Sequence, residues 1–266
     1  MEPLIARPLG STGMMVSPIG FGSFKIGRNE RIKYDAPYEL PSDAEASRLV
    51  RSVIEQGITL IDTAPAYGLS EARIGAVLAE LPAAQRSTVV LATKVGERFE
   101  HGASTYDFSY EATITSVERS LQTLRTSVID IVFVHSPGDT YGCSEKDLAR
   151  GACTQALQRL KHDGRIRAIG FSGKTIAGHM QAMDQGFDAL MVEYHALDDS
   201  QRPVLEAASQ RGIGVLIKKA LGSGRIPPSE AIPFALGAPA VASCVIGSRS
   251  LEHLVACVAL ADAMKR

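Results

Sequence analysis

Residues 57–68 read Gly57-Ile58-Thr59-Leu60-Ile61-Asp62-Thr63-Ala64-Pro65-Ala66-Tyr67-Gly68. A short apolar run ending on an aspartate predicts a buried strand, Thr59 to Asp62, that delivers its carboxylate at the exit, since strands covered on both faces are nearly continuous in apolar residues. Pro65 stiffens the turn that follows and Gly68 allows a sharp departure, so Tyr67 is expected beside Asp62. Upstream, Ser42 to Gln56 has a helical period, opens on Ser42 with Glu45 three residues on, and stops at Gly57. Downstream, Ser70 to Glu80 is a second helical segment. A strand thus lies between two helices.

The same alternation runs along most of the chain. Further strands are predicted at Ile19 to Gly22, Thr88 to Lys94, Ile129 to His135, Ile166 to Ser172, Ala189 to Glu193, Gly214 to Lys218 and Ala242 to Gly247. Helices fit between them at Tyr110 to Leu124, Glu145 to His162, Thr175 to Gln185, Gln201 to Arg211, near Glu230 to Leu236, and at Ser250 to Lys265. Eight βα units in 266 residues are the size of one barrel. The expected fold is therefore α/β: a single (β/α)8 TIM barrel filling residues 1–266 as one domain. Ala6 to Val16, with Ser11-Thr12-Gly13 at its centre, is expected as an N-terminal β-hairpin closing the barrel floor. The main irregularity is Phe24 to Pro41, a polar loop containing Tyr34, Pro37 and Tyr38, and long loops in compact domains often bind or cover ligands.

Composition excludes several classes. Hydrophobic residues make up 45% and charged residues 21%, which is ordinary globular usage. With Lys+Arg 28 against Asp+Glu 29 and no basic run, nucleic acid is not an expected partner. Cys143, Cys153, Cys244 and Cys257 lack the spacing of a zinc site and read as reduced thiols, so no metal is expected. No apolar stretch suits a signal peptide or a membrane span, which predicts a cytoplasmic protein with no membrane partner.

In a βα barrel the active site lies at the carboxyl ends of the strands. Three successive strands end in Asp62, Lys94 and His135, and the loop after the first of them adds Tyr67. Taken singly, Asp62 and Lys94 are a structural ion pair, His135 a core histidine and Tyr67 a loop aromatic. Their joint placement at one rim favours chemistry. A phenol exchanges a proton more readily when a cation stabilises its phenolate, and a buried cation needs a carboxylate. Lys94 is the candidate cation, Asp62 its counter-ion, Tyr67 the general acid, and His135 the group that orients a carbonyl.

With these residues in place, the segment Gly57 to Gly68 resembles the signature of the aldo-keto reductase superfamily. Leu91-Ala92-Thr93-Lys94 is similar to its lysine strand, Ile129 to His135 to its histidine strand, and Gly164 to Ser172 to its fifth strand. The resemblance implies a catalytic tetrad of Asp62, Tyr67, Lys94 and His135, without substitution. It also implies cofactor contacts at Gly22, Ser23, Asp62, Ser172, Met191 and Lys218, pyrophosphate contacts in Leu221-Gly222-Ser223-Gly224, and adenosine-phosphate contacts at Gly247-Ser248-Arg249. Backbone amides freed by Gly222 and Gly224, and Arg249 at a helix start, suit an anion. NADPH is the expected cofactor, with NADH possible, and the partner a small-molecule carbonyl. The enzyme is expected as a monomer or weak homo-oligomer. The sequence departs from the family at Gly173, where Asn is common, at Met191 in place of Gln, and at Lys218 in place of an aromatic residue that stacks on the nicotinamide. Because the chain ends at Arg266, directly after its last helix, substrate contacts are expected from the loops after Phe24, Val95 and Ser136.

Two other functions fit the same barrel: a nicotinamide-nucleotide sensor or regulatory subunit with little turnover, and a lyase or aldolase using Lys94 as a Schiff-base nucleophile. The second needs Lys94 neutral, which Asp62 opposes. A Rossmann domain is disfavoured, because Gly20-Phe21-Gly22 lacks the third glycine of that fingerprint and no acidic partner is suitably placed. The polar Phe24 to Pro41 loop suggests a sugar-like substrate.

Overall fold

The computed structural model describes residues 5–32, 38–139 and 144–264. Tyr34, Pro37, Cys143 and Lys265, named above, lie outside these residues. Eight parallel strands close into a barrel: β1 (Ile19–Gly22), β2 (Leu60–Asp62), β3 (Val90–Val95), β4 (Ile129–His135), β5 (Ile166–Ser172), β6 (Ala189–Glu193), β7 (Gly214–Lys218) and β8 (Val241–Gly247). Each pairs with its neighbours in chain order, and β8 closes on β1 through the register Cys244↔Ile19 to Gly247↔Gly22.

Eight main helices follow the strands: α1 (Asp43–Glu55), α2 (Ser70–Leu78), α3 (Tyr110–Thr123), α4 (Ala152–His162), α5 (Ile176–Asp184), α6 (Arg202–Gln210), α7 (Pro228–Leu236) and α8 (Leu251–Ala263). The start of α1 shows why the pattern folds this way. Ser42 Oγ accepts the Glu45 amide, and the Glu45 carboxylate accepts the Ser42 amide at 2.8 Å, closing a capping box. Beyond its C-terminal residue, Gly57 takes a φ of 80°, where a side chain would be strained.

The core has two parts. Outside the barrel, the apolar faces of the helices pack on the strands, with Val50, Val53, Ile74, Val117, Leu157 and Leu254 buried there. Inside it, Leu60, Ala92, Phe133, Ala168, Met191, Leu216 and Val245 fill the lumen. Arg7–Pro8 pairs antiparallel with Met15–Val16, and Leu9, Met14 and Val16 of this hairpin join the inner cluster. The hairpin therefore plugs the floor, as expected, and Ser11 Oγ ties it to the Gly212 carbonyl at 2.9 Å.

Three features differ from the sequence expectations. The helix predicted from Glu145 to His162 is two helices, Glu145–Leu148 and α4. Gly151, a poor helix former, lies extended between them, and Thr154 Oγ1 bonds the freed carbonyls of Leu148 and Ala149. The segment after Val95 is a β-hairpin, Glu97–Glu100 with Ala103–Tyr106, turned through His101 and Gly102, both at positive φ (52° and 74°). The loop after β1 opens with a 3-10 turn, Ser23–Ile26.

Candidate active site

Strand geometry gathers the four residues. Asp62 and Lys94 end or nearly end β2 and β3, His135 ends β4, and Tyr67 closes a 3-10 turn, Pro65–Tyr67, just past β2. Two close approaches fix that turn. Any Cβ on Gly27 would stand 2.0 Å from the Tyr67 carbonyl oxygen, and Leu69 N donates to Gly27 O at 3.1 Å. The chain after β1 is thus pressed against the chain after β2.

Lys94 and Asp62 are buried, and Lys94 Nζ donates to Asp62 Oδ1 at 2.6 Å and to the Thr63 carbonyl at 2.9 Å. Burial alone would lower the ammonium's pKa, but Asp62 and Tyr67 together more than offset it and hold the group above its usual range. Lys94 is therefore a fixed charge, and its Nζ lies 4.8 Å from the centre of the Tyr67 ring. Burial pushes the Tyr67 hydroxyl up to about 12, against the opposing pull of Lys94. Tyr67 thus stands as a protonated phenol. Its ring meets those of Phe24 and His135 edge-on, at 5.1 and 6.2 Å between centres.

His135 has a partner that the sequence did not announce. Its Nδ1 lies 2.9 Å from Glu97 Oε2, a close ion-pair contact that does not meet hydrogen-bond geometry. Burial alone would raise the Glu97 carboxyl, but His135, a 2.7 Å bond from Ser104 Oγ and the Arg28 guanidinium hold it down at about 2.

These groups line one cavity with Gly22, Phe24, Ser172, Met191 and Lys218. Lys218 Nζ donates to Ser172 Oγ at 3.1 Å and to Gly173 O at 2.7 Å. A second hollow adjoins the first at Val245 and Gly247, lined by Leu221, Gly224 and three basic residues the sequence reading missed: Lys25, Lys219 and His253. The remaining expected contacts sit differently. Ser23 is buried and its hydroxyl donates to the Asp62 carbonyl. Gly222 packs behind the hollow near Ile226. Ser248 Oγ is engaged by Ser250. Arg249 is exposed, donating to Glu39 O at 2.8 Å and lying 4.8 Å from the centre of the Tyr38 ring. Lys219 was hard to notice because it carries its charge one residue beyond the predicted contact Lys218, and Lys25 because it lies two residues beyond Ser23.

Among the described residues no helix is long and apolar enough to cross a membrane. The fold and site have counterparts. The profile of the Aldo/keto reductase family matches residues 18–233. L-galactose dehydrogenase from Arabidopsis thaliana is 29% identical over 232 residues, covering 84% of this chain and 67% of its own. NADH-specific methylglyoxal reductase from Escherichia coli is 31% identical over 236 residues, covering 82% and 67%. A solved Pseudomonas aeruginosa protein assigned to the aldo-keto reductases by its description is 38% identical, covers 100% of this chain and 99% of its own, and superposes with a TM-score of 0.87.

Proposed function

Because the chain belongs to the aldo/keto reductase family, we propose that it transfers hydride between NADP(H) and an aldehyde, ketone or sugar-like carbonyl and the corresponding alcohol, with Tyr67 as the proton donor in reduction. The observation that carries this reading is the convergence of Asp62, Lys94, Tyr67 and His135 on one cavity. The nicotinamide ring supplies or takes the hydride.

The residues around the two hollows fit an anionic dinucleotide. Gly224 leaves open backbone, with no atom within 4 Å of where a Cβ would stand, and basic side chains border the hollow near the start of α8. Ser172 and Lys218 would hold the nicotinamide end, and the second hollow the phosphates. NADPH is favoured over NADH by the cations at Lys25 and Arg249.

The chain's own residues then divide the work. Tyr67 gives its proton to the carbonyl oxygen in reduction and takes it back in oxidation. Lys94 stabilises the phenolate left behind, and Asp62 keeps that lysine charged. The same ion pair opposes the lyase reading, since an ammonium is not a nucleophile. Cys153, Cys244 and Cys257 are buried and unpaired, which supports a reducing, cytoplasmic setting.

The test is NADPH absorbance with methylglyoxal, and NADP+ reduction with L-galactose, the compounds named for the relatives. The reading expects turnover of at least one carbonyl or alcohol across a wider panel of small aldehydes and aldoses. Tight nucleotide binding with no turnover on any of them would favour the sensor instead.

A further inference from the structure

Among the described residues that line the catalytic cavity, the charged ones are Asp62, Lys94 and Lys218, while His135 is held toward its neutral form chiefly by burial. Asp62 and Lys94 cancel each other. Lys218 is left over, because the two carboxylates that act on it serve other donors. Glu145 accepts the Lys174 amide at 2.7 Å, the Thr175 amide at 2.7 Å and Thr175 Oγ1 at 2.8 Å, and Glu193 pairs with Lys219. The cations Lys219 and Lys174 act against a charge on Lys218, and buried His179 on α5 is pushed down by burial and then by Lys218. Within this set Lys218 titrates at about 7, with burial the main cause.

Its position puts that charge at the passage between the two hollows. Strand β7 pairs with β8 in the register Lys218↔Val245, and Val245 stands where the second hollow opens into the cavity. Nζ reaches across to the end of β5, to Ser172 Oγ and the Gly173 carbonyl. Little nearby can screen it. Met191, the cavity's lining residue from β6, is apolar, and a side chain at position 173 has no room, since a Cβ there would stand 2.6 Å from the Phe171 ring. A dinucleotide with its phosphates in the second hollow would bring its nicotinamide into the cavity past Lys218.

The nicotinamide ring is a cation when oxidised and neutral when reduced, and the phosphates are the same in both forms. We infer that Lys218 selects the oxidation state of the bound cofactor: as an ammonium it repels the oxidised ring, so the site holds NADPH more tightly than NADP+ and the preference grows as the pH falls. The inference rests on the oxidoreductase reading of the cavity. Below about 7 the ammonium persists and meets a second positive charge; above it the amine is neutral and the repulsion fades. Two unit charges several ångströms apart at a partly buried site change an affinity by about tenfold or more.

The test is calorimetric titration of the full chain with NADP+ and with NADPH at pH 6, 7.5 and 9. In the wild type the ratio of the two Kd values, NADP+ over NADPH, should fall about tenfold from pH 6 to pH 9. In Lys218→Met the ratio should start lower at pH 6 and change little. Near pH 7 the wild type should also release more protons on binding NADP+ than on binding NADPH, read by repeating the titrations in buffers of different ionisation enthalpy, and Lys218→Met should lose that excess. His135 is present in both proteins, so any trend it causes survives in the variant. A wild-type ratio flat with pH, or a fall that persists in a folded Lys218→Met, would overturn the inference and leave the oxidoreductase reading standing. Binding of neither nucleotide would sink both.

Discussion

Lys94 and Lys218 line the same cavity from β3 and β7, four strands apart in a ring of eight, and they are in opposite electrostatic states. Lys94 touches the Asp62 carboxylate at 2.6 Å and is held charged. Lys218 touches only a hydroxyl and a carbonyl, and among the described residues no carboxylate stands within ion-pair distance of it. Burial pushes it down to about 7, with Glu145 and Glu193 too distant to reverse the effect. One residue type at two strand exits thus gives a fixed charge that serves Tyr67 and an adjustable cation that awaits an anionic or dipolar ligand. The partner decides which: the Asp62 carboxylate at the end of β2 for Lys94, the Ser172 hydroxyl and Gly173 carbonyl at the end of β5 for Lys218.

Removing the fixed charge should break the site most severely. Lys94→Met leaves Tyr67 without the cation that stabilises its phenolate and Asp62 without its counter-ion. Carbonyl reduction should fall about a hundredfold to ten-thousandfold, the usual range for a disabled general acid. Steady-state rates with saturating NADPH would show it. A loss below tenfold would mean that Lys94 is structural.

A smaller effect is expected on the cofactor side. Arg249→Ala should weaken NADPH more than NADH, by about 1–3 kcal/mol if a charge-assisted phosphate contact is lost. Fluorescence titration with both nucleotides separates the cases. Equal losses would show that Arg249 serves only the Glu39 and Tyr38 segment it touches now.

The smallest effect belongs to Lys218 and sharpens the contrast through pH. The folded chain releases this proton near pH 7, whereas the unfolded chain keeps it to the usual lysine value of 10.5. Between those limits the unfolded state binds the extra proton, so stability contributed at this position rises with pH and is lowest below 7. Lys218→Met should therefore melt higher than the wild type at pH 6, by about 2–4 °C if roughly 1 kcal/mol of desolvation is relieved in a chain of this size. The gap should narrow by pH 9. A variant less stable at pH 6 would show that the ammonium is better solvated than its burial indicates.

The contrast also marks what a sequence can and cannot tell. Strands β4 to β7 begin and end where the apolar runs do, because each run is buried almost throughout, with only Arg167 of β5 exposed, and each ends on a polar residue. Asp62, Lys94 and His135 were legible for that reason: a polar residue closing such a run has only the barrel mouth to face. Glu97 was not, since it sits on an excursion whose alternation, half buried and half exposed, resembles an ordinary charged loop. The His101-Gly102 pair, a two-residue turn at positive φ, was the available clue. Ser23 and Ser248 illustrate a different limit. A hydroxyl's place in the chain does not say which wall it faces, and both engage nearby protein groups, the Asp62 carbonyl and Ser250.

The central claim is that Tyr67 passes the proton, and one measurement tests it most directly: the rate of NADPH consumption by wild type and Tyr67→Phe on a carbonyl that the wild type reduces well, with NADPH affinity measured on both. The account predicts that the variant binds NADPH nearly as the wild type does and loses about a hundredfold or more in kcat. Near wild-type turnover by Tyr67→Phe would contradict it.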